Sequence, residues 1–139
     1  YQQIENWDNI FNEINELRIR YTSARTAQDF SAVGVACVRI IEGLSRVAYI
    51  HSIHGDSSQE EPAVSKMDLR IGQVITYNLD GRPNEELRAL AKTSSAVAHK
   101  VKHATTPNAL QAGIACDSVI LLCSIINRIE IDRIKSMTD

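Results

Sequence analysis

The four histidines of this chain fall in two pairs, His51 with His54 and His99 with His103. The second pair has the i, i+4 spacing that stacks two imidazoles on one helix face, an arrangement able to share a metal ion. Its surroundings point elsewhere. No Glu follows His99, so the zinc-protease pattern lacks its general base, and no Glu-x-x-His pair is present for a carboxylate di-iron bundle. No metal and no other cofactor is assigned on this reading. Lys92, Lys100 and Lys102 gather near the same histidines. With His103 and His99 they can bind an anion, a nucleotide or an RNA backbone, although ordinary solvated positive charge is the plainer reading. Lys100, Lys102 and His103 are the candidate anion- or nucleic-acid-binding residues. The sequence contains no phosphate-binding glycine loop and no Ser/His/Asp or Cys/His motif with recognisable local context.

The elements that must position these groups read as helices. Apolar residues at three- and four-residue steps, Ile4, Trp7, Ile10, Phe11, Ile14, Leu17 and Tyr21, predict a first helix from about Gln3 to Thr22. A second, capped by Thr26 or Asp29, runs to about His51, with Ala32, Gly34, Ala36 and Gly43 small enough for a neighbour to approach closely. Within it, Arg39 and Glu42 are spaced to pair. The polar run from Gly55 to Pro62 predicts a flexible loop near residues 55–65. Ser65 and Asp68 then read as an acidic variant of the capping box for a short third helix, Met67 to Leu79, stopped by Asp80-Gly81. Pro83 begins a fourth helix that closes in His99-Lys100-Val101-Lys102-His103. Thr106-Pro107 caps a fifth, the longest. Strict up-and-down alternation of these helices would bring both histidine pairs to one pole.

The fifth helix organises the chain. At about 100° per residue, Val119, Leu122, Cys123, Ile126 and Ile129 form one apolar stripe. Ile120, Leu121, Ser124 and Ile131 form a second, on nearly the opposite side. A helix with two apolar faces must be covered twice. Either the first helix covers the second row within one chain, or a second copy does so across a two-fold axis. The expectation is an all-α, single-domain bundle of about five helices over residues 1–139, up-and-down in type, with a long central C-terminal helix and a homodimer seam at that row.

Composition limits the alternatives. The 139 residues, 44% hydrophobic and 23% charged, are ordinary for one soluble globular domain. A net charge of −2 supplies no global reason for nucleic-acid binding, though a local patch stays open. The three cysteines, Cys37, Cys116 and Cys123, are odd in number and lie on apolar helix faces. Buried free thiols in a reducing cytoplasm are therefore expected, rather than a disulfide framework. No signal-peptide pattern opens the sequence, and no run is expected to reach the roughly 18–20 apolar residues of a membrane span. The expected location is cytoplasmic, with no membrane partner.

One resemblance bears on function. Val35-Ala36-Cys37-Val38-Arg39-Ile40-Ile41-Glu42 resembles the Arg-aliphatic-aliphatic-Glu helix of HEPN-type bundles, and Ile71-Gly72-Gln73-Val74-Ile75 resembles their short Leu-Gly-x-Leu-Ile segment. Leu90 to His103, followed by an Ala-rich helix from Ala109, is similar to the stretch ending in Asn-x-x-Ala-His. HEPN ribonucleases carry Arg, a polar residue, and then His after four to six residues, a site usually completed across a dimer. The nearest match here is Lys92-Thr93, then His99 after five residues. Lys offers a point charge where Arg offers a planar fork to phosphate. The resemblance thus implies a degenerate, noncatalytic, dimer-forming module of a bacterial defence, toxin–antitoxin or regulatory system, with a protein partner. Its alternative is a metal-independent endoribonuclease using His99 assisted by Lys92.

Overall fold

The computed structural model describes residues 3–79 and 83–138. Among them there are helices and no strands, six helices where the periodicity predicted five. The first, α1 (Trp7–Ser23), starts later than its apolar spacing implied, because the Asn6 side chain accepts the Asn9 N–H at 2.8 Å and caps it there. Ile4 stays outside the helix but is buried against α2 (Ala27–Ala48), where a β-carbon at Gly43 would collide with it. The predicted cap of α2 is present as a reciprocal box between Thr26 and Asp29.

The extra helix comes from a break at the end of α2. Tyr49 and Ile50 are extended, and Tyr49 is buried with the Arg70 guanidinium 4.4 Å from its ring centroid. The chain then makes a single turn, α3 (His51–His54), so the two histidines assigned to the end of the second helix have their own element. The loop that follows is pinned to the bundle. Arg70 donates to the Pro62 carbonyl at 2.7 Å, Ser45 Oγ to the Val64 carbonyl at 3.3 Å, and His51 Nε2 meets the Gln59 carbonyl at 3.0 Å.

Ser65 does not cap α4 (Met67–Asn78). The cap position is Lys66, and no side chain closes it. Its backbone N–H is bonded to the Ala63 carbonyl, so the cap lies one residue beyond Ser65 while the helix itself starts at the expected Met67. The proposed Asp80-Gly81 stop lies outside the described residues. The next helix, α5 (Pro83–His103), begins at the predicted proline. The last, α6 (Ala109–Thr138), is capped by Asn108 rather than Thr106-Pro107. Asn108 Oδ1 accepts the Gln111 N–H at 2.9 Å, and Gln111 Oε1 accepts the Asn108 N–H at 3.2 Å.

One contiguous core joins these helices. Val119, Leu122, Cys123 and Ile126 are buried as the main α6 stripe, and Ile129 packs partly against them. The more enclosed helix is nevertheless α2, with ten of its 22 residues buried, against eight of 30 in α6. It touches α1, α4, α5 and α6. Its small residues explain why. A β-carbon at Gly34 would sit 2.5 Å from the backbone nitrogen of Lys102, so α5 crosses α2 at near backbone contact there. Arg39 of α2 forms an ion pair with Glu13 of α1, while Glu42 pairs with Arg46 at 3.3 Å. All three cysteines are buried free thiols. By length and composition α6 is apolar enough to cross a membrane, and 39% of its most apolar stretch is buried inside the bundle.

Candidate functional site

Lys92 and His99 lie seven residues apart, two turns along α5, and so share one flank of that helix. That flank faces the start of α4. Together with Lys66, Asp68, Leu69 and Ser95 they line an open cleft of about 460 Å³. His99 Nδ1 lies 2.8 Å from the Ser95 carbonyl. A carbonyl oxygen accepts only, so Nδ1 carries the hydrogen and donates it. In the neutral ring the free lone pair is then on Nε2, available as a base. Lys66 and Lys92 add positive charge, and the uncapped first turn of α4 contributes unsatisfied N–H groups of its positive end. Asp68 works against them. The cleft can hold an anion, and it has one imidazole with which to move a proton.

The other basic residues do not join this cleft. Lys100 and His103 line a more apolar pocket of about 530 Å³ with Val97, Val101, Gln111 and Ile114, between α5 and α6. His103 remains in reach of His99, their rings stacked with centroids 6.3 Å apart. Lys102 is half-buried, and its carbonyl accepts a hydrogen bond from Ser31 Oγ at 3.3 Å. The basic segment is therefore divided around α5 rather than gathered on one face.

The two histidine pairs also separate. His99 and His103 lie where α5 ends beside the start of α2. Nearby, Tyr21 at the end of α1 donates to the Ala109 carbonyl at 3.0 Å, at the start of α6. His51 and His54 lie at the other pole, beyond the end of α2 and beside Glu130 of α6. Strict alternation fails because α4 has only 12 residues and does not carry the chain along the bundle. Arg70 near its start bonds the Ser45 carbonyl, and Tyr77 near its end packs edge-on to His54 at 5.3 Å.

That second pole holds a buried polar cluster that sequence reading missed. The His54 side chain is shut off from solvent, with Nε2 3.7 Å from Glu130 Oε1. The other Glu130 oxygen accepts from Arg133 at 3.0 Å. His54 Nδ1 accepts the Ile50 N–H at 2.9 Å, which leaves Nε2 as the protonated nitrogen of a neutral ring. Burial pushes the His54 pKa down, and the Glu130 carboxylate opposes that shift. The missed signal was Glu130 falling four residues after Ile126, on the buried α6 stripe. Among the described residues, no three His, Cys, Asp or Glu side chains converge as a metal site.

Of the proposed seam, Leu121, Ser124 and Ile131 are exposed, with Leu121 at 50% and Ile131 at 46%. Ile120 differs. It is half-buried and packs against the core, because its direction lies between the two stripes. The first helix does not cover the row. It reaches α6 near Gly113, where a β-carbon would meet the Tyr21 side chain.

In comparisons with known proteins, no family model, no curated protein and no solved structure matches the chain.

Proposed function

We propose that this chain is a noncatalytic helical interaction module that acts as a homodimer, joined through the outer face of α6. The observation that carries the reading is the position of Leu121, Ser124 and Ile131, exposed on the side of α6 away from buried Val119 and Ile126. Large apolar side chains left exposed along one face of a packed helix suit an interaction surface, and a row that meets its own copy closes with two-fold symmetry. In keeping with the HEPN resemblance, such a module would serve a bacterial defence, toxin–antitoxin or regulatory system, binding a protein partner as a dimer. Its buried thiols are compatible with a reducing cytoplasm, where we place it. Replacing Leu121 with Glu tests the reading. Light scattering should give a folded monomer, since two carboxylates would be desolvated opposite each other at the seam. Unfolding would make the row intramolecular core, and a surviving dimer would place the interface elsewhere.

A second reading, a HEPN-like metal-independent endoribonuclease, is favoured by one observation: Lys92 and His99 share an open cleft. Two considerations weigh against it. Lys lacks the bidentate fork of Arg, and His99 lies on the α4 flank of α5, so pairing through α6 does not bring the two copies of His99 together. His99→Ala should abolish any RNA cleavage while leaving the thermal transition nearly unchanged. Equal activity in wild type and variant would mark a contaminant and remove this reading.

A further inference from the structure

Along the exposed side of α6, Ile114, Asp117, Leu121, Ser124, Arg128 and Ile131 follow one another at alternating three- and four-residue steps, and all six are exposed. This is the spacing of a two-helix seam. Its two charges have opposite sign, and among the described residues neither Asp117 nor Arg128 takes part in an ion pair within the chain. They lie symmetrically about the midpoint between Leu121 and Ser124, Asp117 four residues before Leu121 and Arg128 four residues after Ser124. Resting on the homodimer reading above, we propose that two copies of α6 pair antiparallel about a two-fold axis through that midpoint. Asp117 of each copy then meets Arg128 of the other, Ile114 meets Ile131, and Leu121 packs beside Ser124.

The row distinguishes this register from its rivals by charge. A parallel pairing sets Asp117 against Asp117 and Arg128 against Arg128, which is repulsive at both places. An antiparallel pairing displaced by one heptad gives Asp117 to Lys135, but it sets Arg128 beside Ser124 close to the axis, near its own symmetry mate. It also leaves Ile114 against Thr138. The proposed register gives both guanidinium groups a carboxylate, with which Arg can form a planar two-point contact. The pairs flank the short apolar centre and fix the alignment that Leu121 alone would leave free to slide. The ion pairs thus set register and direction, while Leu121, Ile114 and Ile131 supply the apolar contact.

Charge reversal on the full chain tests this, because the altered residues are exposed and circular dichroism reports whether each variant stays folded. By sedimentation, Asp117→Arg and Arg128→Asp should each weaken dimerisation by about tenfold or more, and the double reversal should recover most of the loss. Cysteine cross-linking checks the geometry separately. Ile114→Cys combined with Ile131→Cys should form disulfide-linked dimers under mild oxidation, and Ile114→Cys by itself should not. Dimers indifferent to both reversals, cross-linking of Ile114→Cys by itself, or a double reversal without recovery would overturn the register while leaving the homodimer in place. A wild-type chain that stays monomeric across the concentration range, including one that binds anionic lipid vesicles as a monomer, would remove the homodimer and the register with it.

Discussion

Two side chains allow tests at the scale of single residues. Leu122 is 1% exposed within the main α6 stripe, and truncating so enclosed a side chain leaves a cavity that helix packing only partly closes. Leu122→Ala should cost about 2–5 kcal/mol in urea unfolding. A loss below about 1 kcal/mol would mean that the stripe is loosely packed. His54 makes a pH-dependent prediction. In the unfolded chain its imidazole protonates below about 6.5, whereas burial holds the folded pKa lower, with Glu130 and Arg133 the charged groups facing it. As the pH falls through that window the unfolded state binds the additional proton, so stability is retained above about 6.5 and declines below it. His54→Asn keeps an acceptor for the Ile50 N–H and removes the titration. The thermal midpoint of the wild type should therefore drop between pH 7.5 and 5 more steeply than that of the variant. Parallel profiles would mean that His54 titrates normally in the fold.

Helix ends and crossings decide more than propensity does at the scale of elements. The start of α6 depends on the reciprocal bonds between Asn108 and Gln111. Asn108→Ala should lower stability by about 0.5–2 kcal/mol, while Thr106→Ala should have little effect. Identical thermal midpoints for the two variants would remove the cap assignment. The α2–α5 crossing depends on Gly34, whose missing side chain leaves room for the Lys102 backbone. Gly34→Ala should cost about 1–3 kcal/mol in urea unfolding, because backbone cannot yield as the end of a flexible side chain can. A neutral result would mean that the two helices sit farther apart. By contrast, Gly72 meets only the flexible Arg88 side chain at 3.8 Å, and Gly72→Ala at that helical position should be tolerated or stabilising.

For the whole molecule the decisive property is the one-sidedness of α6. Its buried stripe faces α2 and α5, whereas Leu121 and Ile131 of its outer row are exposed. A monomer at every concentration would remove the function proposed for this row, whereas a dimer broken by Leu121→Glu would support it. The two faces were legible in the sequence because helical periodicity sorts residues by direction without reference to any neighbour. The same local physics disclosed the all-helical class, a cap for α2 at Thr26 or Asp29 and the proline start of α5. It could not place residues from different helices beside one another. Lys92 and His99 share a cleft with the start of α4, and Lys100 turns away toward α6, because crossings set by contacts such as Gly34 on Lys102 orient α5. The histidine pairs part to opposite poles because α4 is too short to carry the chain along the bundle. The His54–Glu130–Arg133 cluster joins groups more than seventy positions apart, and its chemistry exists only through burial. Direction around a helix is a local property that the sequence determines by itself; which helix stands opposite, and which groups lose their water there, is decided by tertiary packing alone.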